Sequence, residues 1–421
     1  MKKIQSVRGT VDLFSHEMRK HKKVINEAKS VSSLYGYEEV SLPIMEKSEV
    51  FIRPLGLSSD VVSKETYTFE DRGGESITLR PEGTAGIIRS IISEGKMNDL
   101  PLKLFYSGPM FRYERPQKGR LRQFTQIGIE SIGNSDAIED VDVISCGVNL
   151  LKKLGILNNC ILNINTLGDA ISRKDYRENL VNYFMKKSSK LSKLSQSRLS
   201  INPLRILDSK EEEDQEIIKN APLFSSFLNK ASIEHFEKVL KFLKLSEIEY
   251  LHNEKLVRGL DYYCHTTFEF ITKDLGSQGT VLGGGRYDGL SEMLNGPKMP
   301  AVGFAAGVDR LAMLYLSKLS KPDIISIVPI EKENFEFCYK LLNKIRENKI
   351  CAEIYPGGNV TKNLKKISRK DSKFVILIGI NEIKNGKLIL KNLSTGNQSE
   401  ISIDEVYKNL KLLTNLDVNK K

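Results

Sequence analysis

At 421 residues the chain exceeds what one hydrophobic core usually organises, so two or three domains are expected. It is 40% hydrophobic and 28% charged, holds no run of 18 apolar residues, and opens MKKIQSVRGTVD without the apolar stretch of a signal peptide, which argues against membrane-spanning and secreted classes. The net charge of +11 is uneven: residues 322–421 carry 18 Lys and Arg against 12 Asp and Glu, a net +6, which suits a polyanionic partner but equally a lysine-rich proteome.

The five cysteines, Cys146, Cys160, Cys264, Cys338 and Cys351, are scattered, with no CxxC pair and no metal-type spacing. That pattern points to a reducing cytoplasm without disulfides or structural zinc. The five histidines, His16, His21, His235, His252 and His265, show no HxxxH or HExxH spacing either, and each is expected to be peripheral.

In chain order, residues 15–36 predict a helix with Ser15 as its cap and Gly36 at its end. YEEVSLPIME alternates like a strand up to Pro43. Tyr67 to Phe69, a turn at DRGGES and ITLRPEG predict a hairpin-like unit. From Thr84 to Glu94 the pattern turns helical, with Ile87, Ile88, Ile91 and Ile92 on one apolar face.

Phe105 to Glu130 predicts two strands joined by the basic loop RPQKGR. Strand alternation puts Arg112 with Glu114 on one face, and Phe124 with Gln126 and Glu130 on another; Phe111, Tyr113, Ile127 and Ile129 fall opposite and suit a core. One sheet surface thus presents a cation, two carboxylates, an amide and a flat ring. Burying such a row unmatched costs roughly 1–3 kcal/mol per polar group, and a ligand with phosphates, an amine and a flat base would satisfy it. An ordinary surface hairpin with a basic turn is the plain alternative.

Ile138 to Leu154 predicts a second helix and Cys160 to Leu167 a strand, whereas 170–248 reads as a helical insertion without strands. Strands resume at 249–257, in RGLDYYCHTTFEFITK and in TVLGGGRYDGL, where the glycines predict a turn that lets backbone approach a ligand. AVGFAAGVDRLAMLYL begins as a strand and passes at Gly307 into a helix that carries Arg310. After a linker at 316–323, strands alternating with helices over 332–349 and 360–370, then a hairpin, predict a small α/β domain with a largely parallel core. Arginine beside acid recurs in apolar strands, at TLRPEGT and RGLDYY as well, and no nucleophile-plus-base arrangement occurs. Charge-stabilising chemistry on a phosphate ester fits that pattern better than covalent or metal-hydrolase chemistry.

FRYERPQKGRLRQF resembles motif 2 of the class II aminoacyl-tRNA synthetases, AVGFAAGVDRL resembles their motif 3, and the first helix with YEEVSLPIME resembles motif 1 with its proline. RGLDYY, GGGRYDGL and TLRPEGT resemble the signature segments of the histidyl-tRNA synthetase family. The resemblance covers nearly the whole chain; each motif is moderately specific, and all of them in order are highly specific. Departures are mild: Asp309 stands where Glu is also common, and Cys264 follows the paired tyrosines.

The resemblance implies a catalytic domain with a six-stranded antiparallel sheet flanked by helices, over 1–169 and 249–320. It also implies a helical insertion over 170–248, an anticodon-binding α/β domain over 321–421, and a homodimer formed partly by motif 1. It implies that Arg112, Arg120 and Arg310 hold ATP, with Glu114 at the adenine edge and Phe124 stacked on the ring. Glu82, Thr84 and Gln126 would hold the ammonium of L-histidine, and Glu130, Tyr263 and Tyr287 its imidazole. Arg258, with Arg112 catalytic, would face the α-phosphate and the substrate carboxylate. Arg115 and Gln117 would lie near the acceptor end of tRNA(His). Mg²⁺ is expected to accompany ATP, with no protein-bound metal. A non-charging regulatory relative, the synthetase-like subunit of ATP phosphoribosyltransferase, is the rival within the fold; it typically lacks the C-terminal domain and degrades these motifs.

Overall fold

In a computed structural model the chain is described except for residues 1–2, 56–64, 200–201, 208, 210, 258–259, 261, 277–278, 318, 320–323, 371, 373, 394 and 409–421. It separates into two compact units, Met1–Ser317 and Lys318–Lys421.

The strands in chain order are β1 (Glu38–Glu39), β2 (Met45–Lys47), β3 (Tyr67–Glu70), β4 (Ser76–Leu79), β5 (Leu102–Phe111), β6 (Gln123–Ile132), β7 (Cys160–Thr166), β8 (Leu251–His252), β9 (Cys264–Thr272), β10 (Thr280–Arg286) and β11 (Ala301–Gly307) in the first unit. Eight of them form one sheet in the order β1-β5-β6-β11-β10-β9-β7-β8. The expected six-stranded antiparallel sheet is therefore corrected to eight strands of mixed direction. Two-residue strands pair parallel at each edge, β1 on β5 and β8 on β7, while every pairing between them is antiparallel. Stretches as short as Glu38–Glu39 carry no alternation long enough to read from sequence.

Of the stretch read as a strand up to Pro43 only Glu38–Glu39 forms one, β1 in the large sheet; β2, beyond Pro43, joins the small sheet β2-β4-β3. The 67–79 hairpin forms, its turn closed by Asp71 Oδ1 accepting from the amides of Gly73 and Glu75. The Ser15–Leu34 helix begins without a side-chain cap, Ser15 being its first residue rather than the cap. The Thr84–Ser93 helix buries Ile87, Ile88 and Ile91 in the core beneath the sheet, with Ile92 packed against that core. Gly283, Gly284 and Gly285 of GGGRYDG lie inside β10 rather than in a turn, and only Gly289 falls in the turn that follows. A Cβ at Gly284 would stand 2.0 Å from Gly303 O on β11, so the absence of a side chain there lets the two strands pair closely.

In the stretch read as helical, 170–248, the described residues form helices and no strand, from Ala170–Met185 to Lys230–Leu245, with a core of their own around Leu180, Phe184, Ile206 and Phe224. In the second unit β12 (Ile325–Pro329), β13 (Ala352–Ile354) and β14 (Phe374–Ile378) pair parallel, and β15 (Lys387–Asn392) and β16 (Gln398–Ser402) add an antiparallel hairpin. The helices Phe335–Glu347 and Val360–Arg369 are close to the predicted spans, except that 332–334 is a 3-10 turn.

Candidate active site

The central hairpin differs from expectation where it matters. β5 runs Leu102–Phe111 and ends before Arg112, so Arg112 and Glu114 lie on the loop beyond the strand. Arg112 still pairs once more across the hairpin, its amide donating to Arg122 O at 2.8 Å; the Tyr113 amide turns away to Glu65 O. Tyr113 is 52% exposed rather than in a core, with the Arg122 guanidinium 4.0 Å from its ring centroid. Phe111 is half-buried, while Ile127 and Ile129 are buried as expected.

An open cavity of about 930 Å³ lies over this hairpin. Glu82, Thr84, Arg112 and Glu114 line it, as do Arg120, Phe124, Gln126, Tyr263 and Arg310. These side chains come from four separate segments of the chain.

At one end, Glu82 receives the amides of Thr84 (2.5 Å) and Ala85 (2.9 Å), the free donors of the Thr84–Ser93 helix. Burial pushes the Glu82 carboxyl up, against those amides. The Thr84 hydroxyl donates to Glu130 Oε1 at 2.6 Å, and the Tyr287 hydroxyl donates to Glu130 Oε2. Glu130 is 1% exposed. Burial drives its carboxyl up to about 8, with the Glu82 charge adding and the two hydroxyls opposing. Glu130 and Tyr287 thus sit directly behind Thr84 rather than in the cavity lining. A Cβ at Gly303 would stand 1.9 Å from Glu130 Oε2, so β11 must carry glycine beside this carboxylate.

The remaining charges of the lining are mostly basic. Arg112 donates to Pro81 O at 3.0 Å and lies 5.3 Å from the Phe124 ring centroid. Arg120 is ion-paired with Glu114. Arg310 donates to Gly119 O (2.8 Å) and Thr280 O (2.6 Å); burial, then Arg120 and Arg112, lower its proton affinity. Gln117 closes the motif loop by exchanging backbone hydrogen bonds with Arg120, and neither it nor Arg115 lines the cavity. Arg258 lies outside the described residues; its neighbours Leu260, Tyr262 and Tyr263 line the cavity.

A model of the family described as "Histidyl-tRNA synthetase" matches residues 9–311, and one described as "Anticodon binding domain" matches 325–413. The chain belongs to the histidyl-tRNA synthetase family. It is 45% identical over 406 residues to the histidine--tRNA ligase of Gluconacetobacter diazotrophicus, covering 96% of this chain and 98% of the relative. It is 45% identical over 410 residues to that of Rickettsia felis, covering 97% and 99%. The apo histidyl-tRNA synthetase of S. aureus superimposes with a TM-score of 0.81 at 34% identity, over 97% of this chain and 100% of that one.

Several residues of this histidyl-tRNA synthetase fold escaped sequence reading. Tyr106 faces Gly128 across the hairpin, and its ring occupies the room that Cβ atoms on Gly83 and Gly128 would claim, each 2.4 Å from it. Its hydroxyl approaches Gln126 Oε1 at 3.4 Å. A tyrosine placed opposite glycine was the available signal. Tyr262 packs on Tyr263 and Tyr287 at 4.8 and 5.8 Å between centroids. Arg80 is not ion-paired with Glu82; it ties Pro109 O, Leu42 O and Pro43 O together from a buried position. His21 is buried, not peripheral, its Nε2 3.8 Å from Asp309 Oδ1, while Asp309 Oδ2 accepts from the Thr125 amide at 2.8 Å.

Proposed function

We propose that the chain activates L-histidine with ATP to histidyl-adenylate and transfers the histidyl group to the 3′ end of tRNA(His), releasing AMP and pyrophosphate. The observation that carries this is the single cavity. Glu82 and Thr84, backed by Glu130 and Tyr287, share its lining with Arg112, Arg310 and Phe124.

The chemistry suits that lining. An α-carboxyl, with a pKa of about 3.5, is already anionic at neutral pH and needs no general base to attack the α-phosphorus. The obstacle is bringing one anion onto another, so fixed cations matter most. Arg112 and Arg310 are permanently charged forks held by backbone carbonyls, suited to phosphate oxygens. In this reading Arg258 joins them at the α-phosphate, Arg120 and Glu114 meet the nucleotide, and Phe124 stacks on adenine. Glu82, Thr84 and Gln126 hold the ammonium, and Glu130, Tyr263 and Tyr287 address the imidazole. Arg115 and Gln117, on the exposed side of the loop, meet the tRNA acceptor end.

Carboxylates around the cavity are engaged: Glu82 by amides, Glu114 by Arg120, Asp309 by Thr125. Among the described residues no cluster of three His, Cys, Asp or Glu is placed to cage a metal ion. Mg²⁺ accompanies the triphosphate of ATP in this reading, and no step above runs through it.

The domain roles follow the same reading: catalytic core at 1–169 and 249–320, insertion at 170–248, anticodon reading at 321–421. A homodimer is supported by apolar side chains left exposed near the N-terminus, among them Ile4, Val7, Val11 and Phe14. Five free cysteines support a cytoplasmic location, and among the described residues no helix is long and apolar enough to cross a membrane. The non-charging regulatory reading is not favoured, because an anticodon-binding model matches 325–413. Aminoacylation tests the proposal: the purified chain with ATP and tRNA(His) transcript attaches labelled histidine to the transcript. Failure to do so under conditions that charge a control synthetase's tRNA would overturn it.

A further inference from the structure

The helical insertion grips the amino-acid end of the cavity from behind at two points. The first lies at the start of its opening helix. Asp169 caps that helix by accepting from the Ser172 amide, and one residue later Arg173 Nη1 donates to Tyr263 O at 2.6 Å. The same stretch is stitched to the sheet, with Leu167 N donating to His265 O and His265 N to Gly168 O, both at 2.7 Å. Tyr263, whose ring lines the cavity, is therefore held through its main chain by a side chain of the insertion.

The second grip comes from the closing helix of the insertion, Lys230–Leu245. His235 Nε2 approaches Asp140 Oδ2 at 3.5 Å, and its ring lies 5.1 Å from that of His265. Asp140 is fully buried and ion-paired with Arg286, which is 1% exposed and also donates to Asn134 O at 3.0 Å. Arg286 immediately precedes Tyr287, the donor to Glu130. The two helices are tied to one another near their starts, Asn229 Nδ2 donating to Asp169 Oδ2 at 2.6 Å.

We propose that the insertion sets the geometry of the amino-acid pocket, with Arg173 a positioning residue for Tyr263, and His235, through Asp140 and Arg286, a positioning residue for Tyr287. Neither residue lines the cavity, so each acts through a tyrosine. The inference rests on the histidine-activation reading. A pocket that selects by matched hydrogen bonds loses affinity when a partner drifts, whereas the nucleotide end, built on Arg112, Phe124 and Arg310, is not held by these contacts.

The test is L-histidine-dependent ATP–pyrophosphate exchange by the full chain and by Arg173→Ala, Arg173→Lys, His235→Ala and the exposed control Lys174→Ala. Arg173→Ala is expected to raise the histidine KM about tenfold or more, the effect of losing one charge-assisted hydrogen bond, with the ATP KM within about twofold of the unsubstituted chain. Arg173→Lys, which keeps one donor, recovers most of that loss, His235→Ala moves the histidine KM the same way, and Lys174→Ala changes nothing. Should Arg173→Ala not fold, His235→Ala carries the same readout. An unchanged histidine KM, or equal rises for histidine and ATP, overturns the proposal. No exchange by the unsubstituted chain overturns the functional reading instead, so the two failures are distinct.

Discussion

Thr84 and Glu130 stand 46 residues apart in the chain and meet through a 2.6 Å hydrogen bond with the threonine hydroxyl donating. That contact joins the start of a helix, whose free amides hold Glu82, to a sheet carboxylate held on its other oxygen by Tyr287. Acid, hydroxyl, acid and phenol thus form one buried chain beside the cavity.

Glu130 carries the clearest pH dependence. Its carboxyl titrates near 8 in the folded chain against an ordinary 4.5. Between those values the folded state keeps a proton that the unfolded state has released, so stability falls as pH rises through this window. The penalty above it is about 5 kcal/mol. Glu130→Gln removes the cost: thermal unfolding without ligand is expected to show the variant gaining on the unsubstituted chain as pH rises from about 5 to about 8.5, by several degrees at the upper end. The same variant is expected to lose histidine affinity far more than ATP affinity, measured by titration of each ligand.

Gly303→Ala places a methyl group where Glu130 Oε2 and Ile129 O already stand, at 1.9 and 2.3 Å. β11 must shift or Glu130 must swing away. A cost of about 1–3 kcal/mol is expected in denaturant unfolding, together with loss of histidine-dependent exchange. A variant with unaltered stability and exchange would show that the strands give more easily than this packing allows.

Arg310→Lys retains the charge but not the fork that reaches Gly119 O and Thr280 O together. Steady-state exchange is expected to show kcat reduced about a hundredfold, the size of losing a positioned transition-state donor, with histidine KM little changed.

Arg286→Ala removes the partner of a buried carboxylate. The Arg286 guanidinium overrides burial and holds Asp140 at about 2. Leaving that charge alone costs about 3–5 kcal/mol, read as a lowered urea midpoint. Replacing both residues by apolar side chains of similar volume is expected to restore much of the loss.

What the sequence made legible follows from the length of each signal. The 170–245 helices, the apolar face of Ile87, Ile88 and Ile91, and the β–α alternation after residue 324 are long periodic patterns, and they fold as read. Nine of the site residues line one cavity; strand alternation accounts for Phe124 and Gln126, whereas Arg112 and Glu114 lie beyond the strand. Tertiary contacts were not legible. The turn of Tyr113 toward Glu65 moved a ring from the core to solvent; the pairing of His21 with Asp309 joins residues from opposite ends of the first unit. The buried packing of Tyr106 depends on glycines at 83 and 128, and only the fold brings the three together.

The central claim is that this one cavity joins histidine to ATP. Its most direct test is ATP–pyrophosphate exchange by the purified chain, run with each of the twenty amino acids in turn. Exchange is expected to depend on L-histidine alone and to disappear when Arg258 is replaced by Ala. Exchange supported by another amino acid, or undiminished in the Arg258→Ala chain, would contradict it.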